Sequence, residues 1–289
     1  MDGLVDKILE YALAEKLSDI HITKTADKIS MTARGPKGLY KLSDTVPESL
    51  LTYLMYLAKL DISFKSRPQT GVFDYYQQYR KFTIRVAMMQ SFDNLSIVLR
   101  LLNQYHFKEL SDLTKDETAI IKLKAILELQ YGIVAISGPT GSGKTTTAYT
   151  LLNKFTNKAV YTVEDPIEVY FDDLVQIQVN EQLNFSFEQG IKQVLRHDPD
   201  VIFIGEIRDE QSAKMAIRCA LSGHLVLATI HSASCQSSLN RFLDFTVNRD
   251  DLKEVIKVIV NQRLYFQEDK QQFTATYSFL EAETISTLL

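Results

Sequence analysis

The sequence predicts an α/β protein in two parts, a small N-terminal α+β domain and a larger domain built on a mostly parallel sheet. Three observations predict it. A length of 289 residues accommodates two domains at roughly 150 residues each. Before residue 103, apolar residues recur with period two between turn signals, as in antiparallel strands. Beyond residue 113, short apolar runs alternate with helix-period stretches, the β-α-β rhythm of parallel strands covered by helices. The expected division is 1–105 for the first domain, 106–112 for a linker and 113–289 for the second domain.

Leu4, Val5, Ile8, Leu9, Ala12 and Leu13 recur at helical spacing, so the chain opens with an amphipathic helix. Ser18–Ile22 starts strand-like alternation, Arg34–Gly38 reads as a turn, and Leu50–Leu60 as a second helix. Residues 72–89 form a hairpin in which Phe82, Ile84, Val86 and Met88 share one face. Ser96–Leu102 is a strand with Ile97, Leu99 and Leu101 on one face and Val98 and Arg100 on the other. In the second part, Asp116–Gln130, Lys144–Lys154 and a segment running from Ser186 to about Arg196 read as helices, the last opened by a Ser186/Gln189 capping box. Another helix is capped by Asp209 and stops at Gly223. Gly132–Ser137, Ala159–Val163, Val201–Gly205 and Leu225–Ile230 read as strands.

Composition narrows the function. Hydrophobic residues make up 45% and charged residues 24%, an ordinary globular balance. A net charge of −4 argues against a chain whose main task is gripping nucleic-acid phosphates. Residues 1–105 hold 14 Lys and Arg against 11 Asp and Glu, and residues 106–289 hold 18 against 25. Two cysteines, Cys219 and Cys235, make neither a disulfide framework nor a four-thiolate zinc site, which suggests a reducing cytosol. Asp2, Asp6 and Glu10 stand where a signal peptide needs positive charge. No window approaches ~20 uninterrupted apolar residues, so any membrane role is expected to be peripheral.

The strongest chemical signal is Gly138-Pro139-Thr140-Gly141-Ser142-Gly143-Lys144-Thr145-Thr146, a phosphate loop set between a strand and a helix. Its glycines let the backbone turn N–H groups towards phosphates, and the following helix N-terminus adds a positive dipole end. Lys144 is expected on the β and γ phosphates and Thr145 on Mg²⁺. Glu164 and Asp165 leave a strand just before Pro166, where a carboxylate can hold Mg²⁺, through water, or orient the attacking water. Glu206 emerges past the strand 201–204 and can polarise that water. Gly205 stands where an acidic partner would precede it, so metal contact must come from elsewhere, Glu164 or water. His231 follows another buried strand within reach of a γ-phosphate, whereas His224 lies at that strand's far end. His21, His106 and His197 show no metal-ligand spacing, so no metal beyond Mg²⁺ is expected.

Taken together, these residues resemble the ATPases of type II secretion and type IV pilus systems. Gly138–Thr147 is similar to the family's Walker A box, Val163–Glu168 to its Asp box, Arg196–Asp209 to its atypical Walker B box and Gly223–Ser232 to its His box. Ser18–Ile22 and Arg85–Arg100 are similar to its N-terminal domain, and Asn261–Leu264 to its closing segment. Within the family the chain most resembles the competence-pilus ATPases of Gram-positive bacteria: the N-terminal part is short, a tetracysteine zinc module is missing, and the chain ends soon after Leu264. Pro68-Gln69-Thr70-Gly71 departs from the usual Pro-Gln-Asp-Gly, and the segment after His231 matches loosely.

The resemblance implies a RecA-like P-loop ATPase domain for 113–289, a PAS-like α+β domain for 1–105, and a homo-hexameric ring. It implies ATP and Mg²⁺ as cofactors, with ATP between the two domains and Arg85 and Arg100, with Arg80 a further candidate, reaching the phosphates. Hydrolysis would drive a polytopic membrane platform protein and, through it, pilins, from the cytoplasmic face of the cell membrane, in assembly of a competence pilus for DNA uptake. The same engine could serve type II secretion or pilus retraction. A nucleic-acid translocase is a more distant alternative, with Tyr75, Tyr76 and Tyr79 near Arg80 and Lys81 as its candidate patch.

Overall fold

In the computed structural model the described residues are 2–35, 38–43, 45–63, 67–77, 80–92, 94–102, 109–171, 173–180, 185–267 and 272–289. His106, Tyr79 and the side chain of Arg80, which the sequence singled out, lie outside them. Two compact units are present: one within 1–106 together with Glu168–Tyr170, the other within 107–167 and 171–289.

The first unit opens with helix α1 (Asp2–Ala14), followed by strands β1 (Asp19–Lys24), β2 (Ile29–Gly35) and β3 (Gly38–Ser43), then α2 (Glu48–Leu57). Strands β4 (Gln69–Gln77), β5 (Arg80–Ser91) and β6 (Asn94–Leu101) complete it. The sheet has the order β3-β2-β1-β6-β5-β4 and pairs antiparallel throughout. One face is apolar. Ile20 and Ile22, Ile84, Val86 and Met88, and Ile97 and Leu99 pack with Val5 and Leu9 of α1 and Leu50, Leu54 and Met55 of α2. The expected alternation in β5 and β6 is therefore observed, and it leaves Arg85 and Arg100 on the other face. Gly71 of the departed motif is explained locally: a Cβ there would stand 2.0 Å from the Ala58 carbonyl that ends α2.

The second unit runs α3 (Leu110–Leu113), α4 (Glu117–Ala125), β7 (Gly132–Ser137), α5 (Lys144–Leu152), β8 (Val160–Glu164) and β9 (Val175–Gln178). It continues α6 (Phe187–Val194), β10 (Val201–Ile204), α7 (Glu210–Leu221), β11 (Leu225–Ile230), α8 (Cys235–Asp244) and α9 (Arg249–Val255). Strands β12 (Ile256–Gln267) and β13 (Gln272–Glu281) and helix α10 (Ala282–Leu288) close the chain. The sheet order is β13-β12-β7-β11-β10-β8-β9, with every neighbouring pair parallel except β12–β13. All residues of β7, β10 and β11 are buried, as a sheet covered on both faces requires.

Several local expectations change in detail. The helix read over 116–130 is shorter, because Asp116 accepts from the Thr118 and Ala119 N–H groups as an N-cap and the helix passes into a 3-10 turn at Ile126–Glu128. Part of the expected linker 106–112 is helical: α3 starts at Leu110, with Asp112 accepting from the Glu109 N–H. Ser186 accepts from the Gln189 N–H, but the reciprocal half of the expected capping box is not formed. Asp209 does cap α7, with Ser212 returning the bond, and Gly223 follows with a φ of 93°.

Candidate active site

Parallel pairing sets the site. In the adjacent strands β7, β11, β10 and β8, Ser137 lies opposite Ile230, Ala228 opposite Ile204, and Ile204 opposite Val163. The phosphate loop follows β7, His231 follows β11, Glu206 follows β10 and Glu164 ends β8. Residues nearly a hundred positions apart in sequence thus leave one edge of one sheet, the carboxyl edge at which open α/β sheets bind ligands.

The loop has the left-handed glycines its sequence demands. Gly138, Gly141 and Gly143 have φ values of 151°, 76° and 83°. Space as well as φ selects two of them. A Cβ on Gly138 would stand 2.5 Å from the Gln262 carbonyl oxygen, and one on Gly143 2.9 Å from Gln262 Nε2, whereas Gly141 is open. Lys144, 7% exposed, donates from Nζ to the carbonyls of Gly138 and Pro139 at 3.1 and 3.0 Å, so its charge sits within the loop. Thr145 and Thr146 are half-buried in the first turn of α5.

The carboxylates differ in setting. Glu164 is 2% exposed and accepts from the hydroxyls of Tyr149 and Thr162 and from Gln176 Nε2. It also explains Gly205, since a Cβ there would stand 3.2 to 3.4 Å from Glu164 Cα, Cγ and Cβ. A side chain at 205 would press on Glu164 from its first carbon. Glu206 is more open. Its Oε1 lies 3.2 Å from His231 Nε2, and its Oε2 accepts from Arg208 Nε at 2.7 Å.

Arg208 extends the cluster by donating from Nη1 to Asp165 Oδ2 and from Nη2 to the Asp165 carbonyl, both at 3.1 Å. The Glu206 bond raises the Arg208 pKa above its ordinary value. Burial and the nearby Lys144 charge lower that of His231, against the pull of Glu206. His224 is elsewhere, with its N–H and Nδ1 both at the Cys219 carbonyl where α7 ends.

Sequence reasoning did not single out Arg208 or the work of the closing segment. Asn261 Nδ2 donates to Ser137 Oγ at 2.9 Å, Gln262 Nε2 to the Ser142 carbonyl at 2.7 Å, and Arg263 Nη2 to the Ala233 carbonyl at 2.6 Å. Three consecutive residues of β12 thus hold the end of β7, the phosphate loop and the loop after His231. The available signal was a polar Asn-Gln pair directly after the apolar run Val258–Val260, which a sheet interior tolerates only when satisfied.

In the first unit, Arg85 and Arg100 face each other across β5 and β6. Arg100 donates from Nε to Asp19 Oδ1 at 2.6 Å. Burial pushes the Asp19 carboxyl up, but the bonds from Arg100 and Ser18 outweigh it and hold it below the usual value. Burial and the facing Arg100 charge lower the Arg85 pKa. Asp19 pairs with Arg100, and the Glu168 carboxylate acts on Arg85, so each guanidinium group on this face has an acidic group near it. Of the tyrosine patch, Tyr75 is turned inward at 9% exposure and Tyr76 stands 66% exposed.

The donor set bears on Mg²⁺. Among the described residues no group of three His, Cys, Asp or Glu side chains could hold a metal. A protein-only cage is therefore absent there. One hydroxyl (Thr145) and acidic groups at neighbouring strand ends fit instead the mode in which Mg²⁺ keeps waters and takes phosphate oxygens.

A family model described as "Type II/IV secretion system protein" matches residues 1–284. The chain is 33% identical over 263 residues to the competence protein ComGA of Bacillus subtilis, covering 89% of this chain and 74% of that protein. It is 36% identical over 265 residues to ComGA of Halalkalibacterium halodurans, covering 89% and 76%. It is 34% identical to a putative type II secretion system protein E of Escherichia coli, covering 90% of this chain and 54% of that one. Among solved structures, the pilus retraction motor PilT with bound ADP matches with a TM-score of 0.80 at 26% identity, over 98% of this chain and 85% of that one.

Proposed function

Since this chain belongs to the type II/IV secretion system protein family, we propose that it is a Mg²⁺-dependent motor ATPase that works as a homo-hexameric ring. The observation that carries the reading is the gathering of phosphate loop, Glu206 and His231 at one sheet edge. Residues 113–289 act as a RecA-like ATPase domain, and 1–105 as a PAS-like domain that moves against it.

Gly138, Pro139, Thr140, Gly141, Ser142, Gly143, Lys144, Thr145 and Thr146 cradle the triphosphate. Lys144 neutralises charge that grows on the phosphoryl oxygens as the terminal bond breaks. Glu206 orients the attacking water and accepts its proton, held in place by Arg208 and His231. Thr145 would hold Mg²⁺ directly and Glu164 through water, and the ion would supply charge that offsets the phosphates. Arg85 and Arg100 supply further positive charge to the phosphates. Opening and closing between the domains transmits the turnover to a polytopic membrane platform protein and so to pilins.

The similarity to ComGA favours assembly of a competence pilus for DNA uptake over type II secretion or filament retraction. The protein acts at the cytoplasmic face of the cell membrane; no helix among the described residues is long and apolar enough to cross one. A translocase reading is disfavoured by the net acidic chain and by Tyr75, which is turned inward, away from any strand it would stack on.

Steady-state ATP hydrolysis with and without Mg²⁺ tests the enzyme. Lys144→Ala should lower turnover by about 100-fold or more. Glu206→Gln should still bind ATP while hydrolysing it very slowly. Near-normal turnover by a pure Lys144→Ala preparation would overturn the reading. Cross-linking the Glu206→Gln trap in native membranes then separates the pathways. Recovery of a platform protein with pilins and DNA-uptake proteins supports the competence role, whereas recovery of secretion components transfers the motor to that system.

A further inference from the structure

The phosphate loop rests on a buried polar chain whose members come from four places in the second unit. Tyr277 of β13 places its hydroxyl 2.9 Å from Thr147 Oγ1 in α5. Thr147 Oγ1 donates to Gln262 Oε1 at 2.8 Å, and Gln262 Nε2 donates to the Ser142 carbonyl at 2.7 Å. Thr147 and Gln262 are 0% and 1% exposed, so water does not compete for these bonds.

The chain has one direction. The Ser142 carbonyl can only accept, so Gln262 turns its NH₂ to the loop and its Oε1 to Thr147. The Thr147 hydroxyl then spends its one proton on Oε1 and accepts from the Tyr277 hydroxyl. The flipped amide would set two oxygens against each other at the loop.

The consequence lies in the peptide plane. In a trans peptide the carbonyl of residue 142 and the N–H of residue 143 point in opposite directions. A Ser142 carbonyl held towards Gln262 therefore turns the Gly143 N–H away from β12, to the side of the loop on which phosphates are held. Gly143 has the φ of 83° that this orientation needs and lacks the Cβ that would meet Gln262 Nε2 at 2.9 Å.

We propose that Gln262, oriented by Thr147 and Tyr277, is a positioning residue that presets the Gly143 N–H for a nucleotide phosphate and ties the loop's shape to the β12–β13 hairpin. This rests on the reading of the loop as a nucleotide site. The N–H contact is made equally in the ground state and the transition state, so its loss raises KM more than it lowers kcat.

The test uses the full chain, a fluorescent ATP analogue and steady-state hydrolysis. Gln262→Met keeps the volume and loses both bonds. Gln262→Glu keeps the acceptor for Thr147 and loses the donor to Ser142. Both should weaken nucleotide affinity and raise the KM for ATP about tenfold, with kcat within about threefold, and Tyr277→Phe should do so by about two- to threefold. Unchanged KM in either Gln262 variant, or a fall in kcat at constant KM, would overturn the proposal, as would failure of both variants to fold. Lys144→Ala separates the two readings. If it also leaves binding and turnover intact, the nucleotide site itself is misplaced; if it abolishes turnover while the Gln262 variants behave as wild type, only the positioning role fails.

Discussion

Replacing Arg208 by Met should separate the orientation of Glu206 from its charge. Arg208 makes one bond to Glu206 and two to Asp165, at 2.7, 3.1 and 3.1 Å. Met keeps the aliphatic stem and removes all three. The stability cost is small, because the Arg208 and Asp165 side chains are 48% and 39% exposed and solvent screens them, leaving about 1 kcal/mol or less per pair. Two effects on turnover follow. Losing the screened charge pair is itself worth less than tenfold in rate. Losing the guanidinium also leaves the carboxylate restrained by His231 alone at 3.2 Å. A displacement of about 1 Å at a reacting group costs on the order of 100-fold. Positioning wins, so kcat should fall about 10- to 100-fold, or 1.4 to 2.7 kcal/mol. The KM for ATP should stay within about threefold, because Arg208 bonds to no residue of the phosphate loop. Steady-state hydrolysis over a range of ATP concentrations, with urea unfolding of the same samples, gives kcat, KM and stability. An unchanged or raised kcat would refute the reasoning, as would a loss confined to KM. Arg208→Lys should recover only part of the rate, since a point charge lacks the fork that spans Glu206 and Asp165.

Other perturbations follow from the same geometry. The native His231 pKa is depressed, so the unfolded chain binds more protons as pH falls through about 6.5, and stability is lost on the acid side. His231→Gln should flatten that part of the stability profile, read as urea midpoints from about pH 5.5 to 7.5; parallel profiles would show that the imidazole is not coupled to folding. The facing arginines should behave differently. Arg100→Ala leaves Asp19, 4% exposed, without its ion-pair partner and should cost about 1 kcal/mol in urea unfolding at neutral pH, after allowance for the half-exposed guanidinium. Arg85→Ala removes a half-buried charge beside a like one and should leave stability unchanged or slightly raised while lowering turnover. Equal stability losses in the two variants would contradict the assignment of Asp19 to Arg100.

Much of the fold was legible because its signals are local. Period-two burial in β5 and β6 follows from side chains alternating across a pleat, so Ile97 and Leu99 went inward and Arg100 outward as the pattern required. Apolar runs such as Val201–Ile204 and, but for Thr229, Leu225–Ile230 suit strands covered on both faces. Asp209 and Gly223 marked the ends of α7 by capping chemistry that needs no distant partner. The closing hairpin was not legible. Gln262 of β12 and Tyr277 of β13 are partnered by α5 and the phosphate loop, over a hundred positions earlier in the chain.

The sequence alone determined the chemistry on offer. A glycine-rich loop followed by Lys144 and Thr145, two acidic strand ends and a strand-end histidine are properties of residue type and spacing, readable from neighbours within a dozen positions. Only the tertiary structure decided how those groups bear on one another. The order β7-β11-β10-β8 brought His231 to Glu206, and Glu164 crowds position 205, where a Cβ would meet it at 3.2 to 3.4 Å. The guanidinium of Arg208 joined two motifs, and Gln262 took the Ser142 carbonyl. The reason is physical: hydrogen bonds and steric contacts act over a few ångströms, and which residues come that close is set by sheet order and register, which no local pattern in the chain encodes.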